Sequence, residues 1–150
     1  MYEKTVTVFN RRRYNGTDTW YPTVISGVDL NVDAAAIRRA YGSETNDRAK
    51  LHIRYAPGII VGGKQYHLPK DWIGEGITFH DGELFDFFWE GEWTGTEQTI
   101  NGVKTIVWNV NDEDYTNGFY DYMKKQYDMV FAITSVARYD CIPHFEIMGA

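Results

Sequence analysis

Apolar and polar positions alternate with a period of two along most of this chain, the pattern of strands with one buried face. Thr5–Phe9 reads as a short first strand, followed by a polar, arginine-rich stretch ending in the turn signal Asn15-Gly16. In Thr23–Val32, Val24, Val28, Leu30 and Val32 share one parity, interrupted by Ser26, while Gly27, Asp29 and Asn31 take the other. Leu51–Tyr55 alternates again, and short strands are expected at Ile59–Val61, Tyr66–Leu68 and Ile77–Phe79. The clearest run is Leu84–Trp93, with Phe85, Phe87, Trp89 and Trp93 on one parity and Asp86, Glu90 and Glu92 on the other. Residues 94–104 predict a hairpin turning at Asn101-Gly102, with Thr105–Val110 as the return strand. Met129–Arg138 and Phe145–Met148 close the set.

Two segments break this period. Residues 112–127 place Tyr115, Phe119, Tyr122, Met123 and Gln126 on one helical stripe, with acids at the start and Lys124-Lys125 at the end. Asp33 as a cap, the alanine-rich run after it and Gly42 as a stop predict a short helix near 33–41. About eight turn-separated strands with one inserted helix predict a mainly β fold, a small β-barrel or sandwich. At 150 residues, with neither repeat nor linker, the expectation is one domain over 1–150. Loops 10–22, 33–50, 62–76 and 94–104 are expected to project from it.

Composition narrows the function classes. A net charge of −6 disfavours nonspecific nucleic-acid binding, and no stretch approaches a membrane-spanning length. The opening MYEKTVTVFN lacks the apolar core of a signal peptide, so a soluble, intracellularly made protein is expected. Residues 1–54 hold nine Lys/Arg against six Asp/Glu, and residues 55–150 hold six against fifteen. Such asymmetry either puts unlike faces on one body, as docking of unlike partners needs, or is an uneven solvated surface. Aromatics make up 16% of the chain, an excess read as core and oligomer-interface anchors.

Catalytic chemistry is thin. Glu90 and Glu92 on a strand would project to one face roughly 6.5–7 Å apart, a spacing that glycosidase carboxylates use but that any E-x-E strand offers. His52, His67, His80 and His144 form no metal-ligand spacing, and the single Cys141 excludes a multi-cysteine zinc site within the chain. No catalytic residue, metal ligand or cofactor is therefore assigned. Arg11, Arg12 and Arg13 are the one basic run, and with Trp20 they are the interface candidates.

Several pieces in order carry a resemblance: T-V-T-V-F-N, then W-Y-P-T-V-I-S-G-V, then G-K-Q-Y-H-L-P-K-D-W leading into H-D-G-E-L-F-D-F-F-W-E-G-E-W. The chain ends on I-T-S-V-A-R-Y-D-C-I-P-H-F-E-I-M-G-A, where His144, Ile147 and Gly149 match a final-strand pattern. Together they resemble a family of short proteins encoded beside capsid genes in tailed phages and prophages of Gram-positive bacteria. More broadly the chain is similar to head-completion proteins, the adaptor and stopper rings of the phage neck. The resemblance implies a non-catalytic structural virion protein of the head-to-tail connector, assembled in the host cytoplasm and located in the neck. Its implied partners are copies of itself in a ring, portal, adaptor or tail-terminator proteins, and passing DNA held without sequence recognition; no membrane is involved. Asp81, Glu83, Asp86, Glu90 and Glu92 are then candidates for an acidic lining of the DNA channel. Two other classes stay open: a carbohydrate- or receptor-binding module using exposed aromatics, and a small glycosidase-like enzyme using Glu90 or Glu92.

Overall fold

The computed structural model describes residues 2–33 and 48–150. Its frame is a closed antiparallel β-barrel of six strands. Strands β1 (Lys4–Tyr14), β2 (Thr17–Val32) and β3 (Ala49–Arg54) run first, followed by the small pair β4 (Ile60–Val61) and β5 (Lys64–Gln65). Next come β6 (Phe87–Glu90), β7 (Thr96–Ile100), β8 (Val103–Val107), β9 (Val110–Asn111), a 3-10 turn (Asp112–Asp114), helix α1 (Phe119–Gln126), β10 (Val130–Tyr139) and β11 (His144–Gly149). The barrel order is β1-β6-β10-β11-β3-β2, closed by pairing of β2 with β1, and β9 extends the sheet beside β2. Closure leaves the six strands no long free edge.

The arginine run does not lie in a loop. β1 continues through it to Tyr14, and the whole segment 4–32 is one long hairpin turning at Asn15 and Gly16, both with positive φ. Alternating hydrophobicity stops at Phe9 because beyond it the hairpin outgrows the barrel interior, so polar residues occupy a strand whose pairing is still complete. The parity of β2 also differs from its sequence pattern. The register of β1 on β2 shifts between Lys4 and Thr5, so that Lys4 faces Val28 while Thr5 faces Ser26. Gly27, at φ 70°, takes up the extra residue, and Ile25 rather than Val24 joins Val28 and Leu30 inside. The short helix expected near 33–41 lies, from residue 34 on, outside the described residues.

Side chains fill the barrel. Val6, Val8, Val28, Leu51, Ile53, Phe88 and Ile147 are fully buried there, and Val61, Ile77 and Phe79 from the 55–86 segment pack against them. Phe79 meets Phe145 edge-on at 5.0 Å. A second core covers the outer wall, where Phe9, Trp20, Phe87 and Trp93 pack against Phe119 and Met123 of α1. Phe87 and Phe88, adjacent in sequence, are therefore both buried, one on each face of β6. The parity of Asp86 and Glu90 therefore does not face solvent along the strand: Phe88 on it points into the barrel, while the helix covers Phe87 on the other.

The helix itself is shorter than the 112–127 stripe. Gly118, at φ 89°, breaks the chain between the 3-10 turn and α1. Asp112 then closes the gap: its Oδ1 accepts from the Phe119 N–H at 2.8 Å and from the Trp20 indole N–H at 2.9 Å. One carboxylate thus caps the helix and ties it to β2. Within β11, Gly149 leaves no room for a side chain, since a Cβ there would stand 2.8 Å from Phe131 Cβ and 2.9 Å from Phe88 Cζ. Gly149→Val is expected to cost about 1–3 kcal/mol by overpacking, read as a lower urea midpoint at unchanged slope.

Candidate functional site

The barrel end beneath the long hairpin carries a buried charged cluster around Asp86. Asp86 is fully buried. Its Oδ2 accepts from Asn10 Nδ2 and from the His80 N–H, each at 2.7 Å, and its Oδ1 accepts from the Arg11 N–H at 2.7 Å. His80 Nδ1 stands 2.9 Å from Oδ1. Burial, the largest influence, pushes the Asp86 pKa upward, and the hydrogen bonds and the His80 ring work against it. Three of the four groups aimed at the carboxyl, Asn10 Nδ2 and the Arg11 and His80 N–H groups, can only donate, an arrangement that suits the carboxylate with the His80 Nδ1 hydrogen directed at it. Burial works against charge on His80, yet the hydrogen bond and charge of Asp86 outweigh it, and the backbone of Pro69 adds a further hydrogen bond. The imidazole pKa is accordingly raised above its ordinary 6.5.

That shift sets a sign. Stability contributed by protonated His80 is fully present below pH 6.5 and is lost as pH rises through the raised folded-state value. Urea midpoints measured across this window should fall with rising pH, and His80→Gln should flatten the fall.

A cavity of about 300 Å³ opens above this cluster, lined by Arg11, Arg12, Arg13, Trp72, Ile73, His80 and Leu84. The three arginines share the cavity but not their surroundings. Arg11 lies over Trp20 at 4.5 Å and Phe85 at 4.9 Å, with its NH1 3.6 Å from Asp18 Oδ2. Arg13 grips the same carboxylate through Nε at 2.8 Å and NH2 at 3.0 Å. Arg12 lies over the Tyr14 ring at 5.4 Å. Burial holds Arg11 in place, so the lining is preorganised, and Arg12 and Arg13 carry its charge outward. Trp20 corrects the sequence reading. It is a core residue, pinned by Asp112, and supports the arginine wall from below rather than facing a partner.

The acidic candidates do not form one surface. Asp81 and Glu83 are exposed on the loop before β6, while Asp86 is the buried anchor described above and cannot line a channel. Glu90 is half-buried and paired with Lys4 at 3.0 Å. Glu92 is exposed and lines a shallow groove with Lys64, Trp93 and Trp108. The reason is the length of β6: with only four residues in the ladder, the alternation assumed over 84–93 does not hold at either end.

Strands β7 and β8 form a two-stranded hairpin outside the barrel sheet, turning at Asn101-Gly102 as the sequence predicts. Ile100 and Val103 face each other across it, and Ile106 lies on its opposite face. Val103 and Ile106 are 63% and 62% exposed. The sequence pattern located this hairpin but not the fact that neither face is covered.

Barrel, basic cavity and projecting hairpin together define a small closed-barrel protein. A model described as a family of unknown function (DUF6751) matches residues 1–150, and the chain belongs to that family. No curated protein and no solved structure matches it. Among the described residues, no helix is long and apolar enough to cross a membrane.

Proposed function

We propose that this chain is a non-catalytic assembly subunit, a structural virion protein that helps form the head-to-tail connector ring of a tailed phage. The observation that carries the proposal is the β7–β8 hairpin, which stands outside the barrel sheet and exposes Ile100, Val103 and Ile106. An isolated two-stranded hairpin is marginal in water, so one with apolar residues on both faces is best explained by a protein surface that covers it. The basic cavity under Arg12 and Arg13 supplies an unlike second patch, which a ring of identical subunits requires. In this reading the hairpin packs on the neighbouring subunit or the portal, and the arginines take an acidic segment of the adjoining protein. The packed lumen supports a channel formed between subunits rather than through one of them. Passing DNA would meet exposed acids such as Asp81 and Glu83, not Asp86.

Sedimentation of the purified chain, alone and mixed with portal rings, tests the proposal. A ring-sized species, or co-sedimentation with the portal, is expected; a solitary monomer under both conditions speaks against it.

A second reading draws on the groove containing Trp93, Trp108, Glu92 and Lys64. A sugar could stack there on the partly exposed Trp108, and a glycan array would reveal such binding. Both indole N–H groups are already committed, Trp93 to the Trp108 carbonyl and Trp108 to the Pro22 carbonyl, which leaves them as apolar contacts only.

A further inference from the structure

On the outer wall of the barrel, β2, β3 and β11 bring four polar side chains together. Asp29 pairs with His52, and His52 pairs with Glu146. His144 lies two residues before Glu146 on the same face of β11. One donor atom each of His52, His144 and Glu146 lies within 4.8 Å of the others. We propose that these three residues form a binding site for a zinc-class divalent cation, with Asp29 as the group that orients His52.

The orientation of both imidazoles favours this use over a chance cluster. His144 Nδ1 is 2.6 Å from the Ile142 carbonyl, an acceptor only, so Nδ1 carries the hydrogen and the lone pair is on Nε2. His52 presents Nδ1 to Asp29 Oδ2 at 3.6 Å and Nε2 to Glu146 Oε2 at 3.5 Å. Each ring thus has an oxygen on its Nδ1 side, the arrangement by which carboxylates and carbonyls fix the tautomer of metal-binding histidines. Glu146 divides its oxygens in the same sense, with Oε1 3.6 Å from Lys50 Nζ and Oε2 on the His52 side. The Tyr139 ring stacks on His144 at 5.0 Å and 13°, limiting its rotation.

Two imidazoles and one carboxylate make a donor set suited to Zn²⁺, with a fourth position left for water or a neighbouring molecule. Tetrahedral coordination at about 2.1 Å brings ligand atoms to about 3.4 Å from one another, so side-chain rotations of about an ångström complete the site without moving the strands. The cation would then clip β3 to β11. This inference does not rest on the virion reading and stands or falls separately.

Titration of the purified chain with Co²⁺, followed by visible absorption and by displacement with Zn²⁺, tests it. One Co²⁺ per chain with the intense absorption of a tetrahedral centre is expected. His52→Ala and His144→Ala should abolish it, and Asp29→Asn should weaken binding about tenfold. His67→Ala, remote in sequence and not part of the cluster, should bind as the parent does. Zn²⁺ should also raise the melting temperature of the parent and of His67→Ala only, which reports binding without a chromophore. Should an alanine variant fail to fold, Glu146→Gln gives the same reading with less loss of packing. Equal affinity in the parent and the His52→Ala/His144→Ala double variant, or the spectrum of the hydrated ion throughout, would overturn the proposal.

Discussion

Asp86→Ala is expected to remove about 3–5 kcal/mol of folding stability, the largest single-residue effect outside the apolar core. The carboxylate is fully buried and hydrogen-bonds to two segments: β1 through Asn10 and Arg11, and the loop before β6 through the backbone and ring of His80. Deleting it leaves those donors without an acceptor and the His80 charge without its counter-ion. Unmade bonds of buried groups cost more than made ones contribute, so the penalty exceeds that of one surface ion pair. The loss is a large fraction of the 5–15 kcal/mol that typically holds a domain folded. Urea unfolding followed by tryptophan fluorescence measures it directly. Asp86→Asn tests the cause: it retains the shape but presents an amide N–H₂ among donors, and should recover only part of the stability. A midpoint unchanged in both variants would mean that the cluster contributes nothing to holding the barrel end together.

The second large effect concerns assembly and leaves folding intact. Val103→Asp combined with Ile106→Asp alters two exposed side chains that contact no core. Folding stability should change by no more than about 0.5 kcal/mol, as for most surface substitutions. Under the proposed role, in which these residues anchor an interface, association with a second subunit or a portal should lose about 2 kcal/mol or more, roughly thirtyfold in affinity. The two readouts, melting temperature and sedimentation, separate the cases. A variant that assembles like the parent would remove the hairpin from the interface, and one that unfolds would show it to be part of the core.

How far the sequence discloses this molecule depends on the range of the interactions involved. Strands β3, β10 and β11 and the β7–β8 turn are legible because their signals are local: alternation, and an Asn-Gly pair whose φ values are positive. Barrel closure is not, since it depends on β1 pairing with β6 some eighty residues away as well as with its neighbour β2. Long-range packing also explains the misread faces. Phe87 and Phe88 violate alternation because α1 lies on the outer wall, and Asp86 reads as a solvated acid until Asn10, Arg11 and His80 are brought around it. Arg11–Arg13 are visible as a basic run, but their strand conformation depends on Asp18 and Trp20 across the hairpin. Trp20 looks like an interface residue for the same reason. The His52–His144–Glu146 cluster is only half legible: His144 and Glu146 are i, i+2 neighbours on β11, but it is cross-strand register that brings His52 to them.

The most direct test of the proposed role is mass spectrometry of tailed particles purified from cells that express this chain, followed by imaging of the neck at side-chain resolution. The chain should be present in ring stoichiometry at the head–tail junction, with the β7–β8 hairpin buried against a neighbour and Arg12 and Arg13 facing an acidic segment. Particles that are complete and infectious without it, or a neck in which no such barrel is found, would contradict the assignment.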